Sequence, residues 1–247
     1  MATFWSTIYQ SHFQKYFKKP FDIQVFHAPD GFSLKVATHD WALHGFRVYT
    51  SMGLADVLAR NEEEDFGEVI LFSDRPDKEV PQLFVKALFF ILQNAIPLNS
   101  RFSICFDQTE PDFAERYGKA ALYFTQPAIP DSFFPSGDGK EKIGKETFDK
   151  VRKGKVFGRV YQAFFITAEE DAFLDAVRPN AFEQEFRKSF PQEVPILDPI
   201  PEGSIAPPKV AAKLKNRAVE SGSLEEGLEI TALRWSEALS LNRPSCV

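Results

Sequence analysis

Phe66-Gly-Glu-Val-Ile-Leu-Phe72 is followed by Glu79-Val-Pro-Gln-Leu-Phe-Val-Lys-Ala-Leu-Phe-Phe-Ile-Leu-Gln-Asn-Ala95 and then by Phe102-Ser-Ile-Cys-Phe106. The first contains Val69 to Phe72, a short apolar run with a β-branched start, which reads as an inner strand. In the second, Val80, Leu83, Phe84, Ala87, Leu88, Ile91 and Leu92 recur at spacings of three and four, the wide apolar stripe of a packed helix. In the third, Phe102, Ile104 and Phe106 alternate with smaller residues, so the period returns to two.

The same two periods extend outward. Phe4, Trp5, Ile8, Tyr9, Phe13, Tyr16 and Phe17 place an aromatic face on one helix, ended by Lys18-Lys19-Pro20. Ile23, Val25 and His27 then alternate with polar positions. Pro29-Asp30-Gly31 signals a turn, and Phe32, Leu34 and Val36 alternate again, which predicts a hairpin. Trp41 to Tyr49 reads as a third extended piece. Later, Ala120 to Phe124 and Val156 to Thr167 have strand character. Thr167-Ala-Glu-Glu170 is a capping box for a following helix, which Arg178-Pro179-Asn180 breaks before a second helix over 181–190. Strands and helices mix without regular alternation. This favours an α+β class: a mixed, largely antiparallel sheet with helices packed on it.

Composition sets further bounds. The chain has 247 residues, of which 26 are Phe, so the core must be rich in rings. Basic side chains number 29 against 35 acidic, a net −6. That balance opposes non-specific binding to nucleic acid or anionic lipid and suits a basic protein partner. Cys105 and Cys246 do not make a disulfide scaffold, and Cys105 reads as a buried reduced thiol. The longest apolar stretch, Ala87 to Leu92, is far short of a membrane span, and the N-terminus lacks a leader pattern. The expectation is a cytoplasmic protein without a membrane partner.

Two segments differ from the rest. Residues 125–159 carry several Pro and Gly, and between Lys140 and Arg159 stand eight basic and three acidic side chains, read as a solvated loop and short helix. Pro191, Pro195, Pro199, Pro201, Pro207 and Pro208 read as a linker. The domain is therefore placed at 1–200, with a proline-led extension at 201–247. In it, Lys209 to Ala218 reads as helix and 224–241 as either helix or strand; a docked tail would cover an edge strand.

Motifs with a specific chemistry are not found: no phosphate-binding Gly loop, no nucleophile elbow and no cysteine pair at metal spacing, so no cofactor, metal or catalytic residue is expected. His39, Asp40, His44 and Cys105 are the one group that could hide an unrecognised enzyme site. Their separation by more than about 10 Å would end that reading, since catalytic hydrogen bonds are far shorter. The remaining candidate is acidic. Glu62, Glu63, Glu64 and Asp65 stand together just before the 66–72 strand, an anionic patch suited to steering a basic partner.

The order of elements carries a resemblance. Phe46-Arg-Val-Tyr-Thr-Ser-Met-Gly-Leu-Ala-Asp56 resembles the strand and Gly-Leu-Ser/Ala segment of suppressor-of-fused domains. Asp65-Phe-Gly-Glu-Val-Ile-Leu-Phe72 is similar to that family's next strand, and an amphipathic helix follows near Val80-Pro81. Val160-Tyr-Gln-Ala-Phe-Phe-Ile-Thr-Ala-Glu-Glu-Asp-Ala-Phe173 resembles its late strand and helix, leading to a second helix and an Asp198-Pro199 ending. The likeness spans about residues 40–200. It implies a stand-alone bacterial member, a class thought to act as immunity proteins against toxins. The implied function is non-catalytic: binding and neutralising a toxin, with Glu62 to Asp65 as the charged contact. The alternative is a regulatory adaptor that sequesters a transcription or signalling protein, and an enzyme is the remote third.

Overall fold

The computed structural model describes residues 4–28, 31, 33–41, 46–60, 66–73, 77–125, 159–189 and 232–234. Of the loop expected over 125–159, residues 126–158 lie outside these residues, as do the proline-led stretch 191–208, Lys209 to Ala218, Glu62 to Asp65 and His44.

Among the described residues, eight strands form one sheet: β1 (Asp22–His27), β2 (Ser33–Trp41), β3 (Phe46–Met52), β4 (Gly67–Ser73), β5 (Phe102–Cys105), β6 (Ala121–Thr125), β7 (Arg159–Ile166) and β8 (Ala232–Arg234). Their order is β1-β2-β3-β4-β7-β6-β5-β8. Five neighbouring pairs are antiparallel, while β4–β7 and β5–β8 are parallel. The class is α+β with a mixed, largely antiparallel sheet. Ala232–Arg234, from the ambiguous 224–241 stretch, is strand and pairs along β5.

Among the described residues, five α-helices accompany this sheet: α1 (Phe4–Phe17), α2 (Leu54–Arg60), α3 (Glu79–Gln93), α4 (Pro111–Tyr117) and α5 (Ala168–Ser189). On one face, Phe17 of α1 meets Phe72 of β4 with ring centroids 6.0 Å apart, and Phe182 of α5 meets Tyr123 of β6 at 5.1 Å. On the other, Phe113 of α4 lies 5.4 Å from Phe165 of β7. α3 sits beside α4, tied to it by the Lys86–Glu110 and Arg116–Glu79 pairs. The sheet is thus the middle of three layers, and β4 is buried along its whole length. That explains why its sequence is a continuous apolar run rather than an alternation.

The local signals map closely. α3 ends at Gln93, where Ala95 takes a positive φ of 49° and Ile96 N–H donates to Ile91 O at 3.0 Å. The capping box is reciprocal: Glu170 N–H donates to Thr167 Oγ1 at 3.1 Å, and Thr167 N–H to Glu170 Oε2 at 2.8 Å. α5 breaks at Arg178 (φ 68°, ψ 161°), just before Pro179, which cannot continue the helix.

Three expectations change. The extended piece at 41–49 is really the end of β2 and most of β3, with 42–45 between them. Short helices α2 and α4, of seven residues each, have too few turns to show a period. In β1 the apolar alternation faces outward: Ile23 and Val25 are 43% and 40% exposed, and Phe26 is the residue that enters the core.

Candidate functional site

The acidic candidate Glu62, Glu63, Glu64 and Asp65 lies outside the described residues, but both of its anchors are described. The segment leaves the end of α2 and enters β4. At the entry, Phe66 is buried against the Trp5 ring of α1, centroids 4.7 Å apart. Phe66 O accepts a hydrogen bond from Arg159 N at 3.0 Å. The next residue, Gly67, is forced by proximity. A Cβ there would stand 1.9 Å from Arg159 O, so only glycine lets β4 and β7 start side by side.

Behind this anchor stands a buried polar cluster. Glu68 is fully buried in β4. Its carboxylate accepts from Ser51 Oγ at 2.5 Å, Gly53 N at 2.8 Å and Ala55 N at 3.2 Å. The last two are N–H groups at the start of α2, which a helix leaves without internal partners. Glu68 therefore caps α2 from a neighbouring strand. Ser51 Oγ also accepts from Val69 N at 2.7 Å, which stitches β3 to β4. Gly53 makes the turn from β3 into α2 with a φ of 106°, a value that side chains resist.

Asp56 repeats the device one helix further out. It sits in the first turn of α2, and its carboxylate accepts from Trp5 N at 3.0 Å, Ser6 N at 3.1 Å and Ser6 Oγ. It thereby caps α1. Tyr9 of α1 completes the tie by donating its hydroxyl to Arg159 O at 2.8 Å. The chain of caps runs β4 to α2 to α1. Burial is the largest influence on Glu68 and pushes its carboxyl up to about 7, against the pull of its three donors. Burial, with Glu68 nearby, also pushes the Tyr9 phenol well above its ordinary range.

The residues that carried the family resemblance, Ser51, Gly53, Leu54, Asp56 and Glu68, thus meet in one place and hold the frame of the acidic segment. Glu68 and Asp56 were not singled out from sequence as a pair. The available signal was a carboxylate inside an otherwise apolar strand, which must find partners when buried.

Of the candidates for a hidden enzyme site, the described ones, His39, Asp40 and Cys105, do not converge. His39 on β2 is held by Lys18 O at 3.0 Å from Nδ1 and by Thr50 Oγ1 at 3.2 Å from Nε2. The carbonyl partner makes Nδ1 a donor, and burial lowers the ring's pKa, against the opposing pull of that carbonyl. Asp40 pairs instead with Arg47 Nε at 3.1 Å. Cys105 lies on β5, five strand positions from β2, or about 24 Å at the usual strand spacing. Its thiol is half-buried rather than buried, and donates to Asp171 Oδ2 at 3.1 Å. Burial, then Asp171, raises the thiol's pKa, the opposite of nucleophile activation. Among the described residues, no group of three or more His, Cys, Asp or Glu side chains could hold a metal, and no helix is long and apolar enough to cross a membrane.

Comparison with known proteins supports the fold. The chain is similar to the crystal structure of a suppressor-of-fused homologue from Neisseria gonorrhoeae FA 1090, with a TM-score of 0.53 and 16% sequence identity. The match covers 82% of this chain and 96% of that one. The shared feature is the fold. No family model matches the sequence, and no curated protein matches it.

Proposed function

We propose that this is a non-catalytic protein-binding domain of the immunity type, which neutralises a toxin by direct contact. The observation that carries the reading is the suppressor-of-fused-like fold, together with the resemblance of residues 40–200 to stand-alone bacterial members. Charge adds support. A chain of net −6 gains association rate against a basic partner, and toxins that act on nucleic acid are commonly basic because their substrate is a polyanion.

The contact assigned to this role is Glu62, Glu63, Glu64 and Asp65. On either side of it in the chain, the described residues Asp56 of α2 and Phe66 at the entry to β4 are held by hydrogen bonds. A charge cluster on a rigid base loses less freedom on binding than one on a free chain. The proposal places the protein in the cytoplasm, as a 1–200 domain with its extension, and without nucleic-acid, membrane or cofactor partners.

The test is a capture experiment from native host lysate, with wild type beside a variant carrying Lys at positions 62–65. Recovery of one basic protein by wild type alone supports the reading and the interface. Equal recovery by both keeps the binding role and discards the acidic segment. Failure of both at low salt overturns the proposal.

A further inference from the structure

The two edges of the sheet are finished differently. The β5 edge is covered by Ala232–Arg234, whereas β1 pairs with no second strand among the described residues. β1 also lacks the usual protections of an open edge: it is six residues long, contains no lysine or proline, and shows no bulge in its register with β2. The large apolar side chains that stand exposed among the described residues are Phe21 at 57%, Ile23 at 43% and Val25 at 40%. All three belong to this strand or its entry.

The sequence of the edge is complementary to itself. Consider two copies paired antiparallel about a two-fold axis at Ile23. Ile23 then faces Ile23, and Phe21 faces the second copy's Val25. On the opposite face Asp22 meets the second copy's Gln24, a carboxylate against an amide that already donates to Asp22 within one chain at 3.0 Å. Shifting the axis by one residue toward the N-terminus sets Asp22 against Asp22 and Val25 against Lys19. Shifting it the other way sets Asp22 against Phe26, which is already committed to the core. That shifted register still pairs Ile23 with Val25 but sets Phe21 against His27, whereas the register about Ile23 brings Phe21, Ile23 and Val25 all against apolar partners and opposes no like charges, which favours it in cross-strand pairing. Arg47, 4.3 Å from the Phe21 ring centroid and paired with Asp40, braces that ring at the start of the strand.

We propose that β1 is a self-association edge, and that two copies of this chain join through antiparallel β1–β1 pairing centred on Ile23 into one continuous sheet. The apolar patch is small beside the roughly 800 Å² per partner of a stable interface, so the dimer forms at high concentration and dissociates on dilution.

The experiment is sedimentation velocity on the full chain from about 5 to about 500 µM, with amide exchange followed across residues 21–27. The wild type is expected to pass from monomer to dimer, with protection of β1 rising in step. Ile23→Lys and Ile23→Glu are each expected to stay monomeric, with unchanged circular dichroism because the side chain is exposed. An equimolar mixture of the two is expected to restore the dimer, since the register sets Lys against Glu at the axis. The proposal is overturned if the wild type stays monomeric with an unprotected β1, which leaves the edge to a different partner. It is equally overturned if β1 is protected at every concentration, which means another segment of the same chain covers it. A dimer that survives Ile23→Lys, or a mixture that does not re-pair, also refutes it.

Discussion

Replacing Glu68 by Gln tests the central electrostatic feature of this fold. In the native state the carboxyl is fully buried and makes no ion pair among the described residues, and its pKa is pushed up to about 7. In the unfolded chain it titrates near its ordinary value of about 4.3. Between those two values the native protein holds a proton that the unfolded chain has lost. Stability must therefore fall as pH rises through this window, by at most about 1.4 kcal/mol per pH unit and about 4 kcal/mol in total, of which about 3 kcal/mol falls between about pH 4.5 and 8. Wild type alone does not isolate the effect, because burial draws His12 down to about 4 and that histidine works in the opposite sense. Its native form stays neutral while the unfolded imidazole protonates, so its contribution is lost as pH falls from about 6.5 to about 4. The difference between wild type and Glu68→Gln removes the His12 part. Urea unfolding at intervals from pH 4.5 to 8 should show wild type losing about 3 kcal/mol relative to the variant as pH rises, with unchanged m-values. The amide oxygen can still accept from Gly53 and Ala55 N–H, so the variant folds. A flat difference would refute the reasoning. So would a wild type that gains on the variant with pH, because the three donors and the α2 terminus would then outweigh burial.

Four further outcomes follow from the same geometry. Glu68→Ala leaves Ser51, Gly53 N and Ala55 N without their acceptor and opens a cavity, so chemical denaturation should show a loss of about 4 kcal/mol. Asp56→Ala removes the acceptor of Trp5 N and Ser6 N and should cost about 2 kcal/mol, with faster amide exchange confined at first to α1; uniform exchange throughout the chain would count against the cap. Gly67→Ala drives a Cβ onto Arg159 O and should cost at least about 3 kcal/mol in melting experiments, since backbone on both strands must move. Asp171→Asn, in a Cys246→Ser background, should speed iodoacetamide alkylation of Cys105 several-fold at pH 8, because a carboxylate that raises the thiol's pKa is gone. Wild type that already reacts as fast as an unfolded thiol would contradict this.

Much of this molecule can be read from neighbouring residues. The α1 face, the α3 stripe, the Thr167–Glu170 box and the Arg178-Pro179 break rest on contacts between residues three or four apart, which sequence spacing reports directly. The α+β class follows from the way those periods succeed one another. The segments that carry the resemblance, 46–56 and 65–72, contain Ser51, Gly53 and Glu68, which the fold brings into contact. Three things needed the tertiary structure. One is the parallel β4–β7 pairing, which joins residues far apart in the chain and explains why Gly67 is glycine. Another is the direction of β1: its alternation is equally regular whichever face is inside, and only the folded structure shows Ile23 and Val25 exposed and Phe26 in the core. The last is Glu68, a charge that sequence alone would send to solvent. It stays inside because two N–H groups at the start of α2 and a serine of β3 converge on it, and backbone N–H groups without helical partners carry no mark in the sequence. Local periodicity determined the elements; long-range register decided which polar groups could be buried and which apolar ones were left outside.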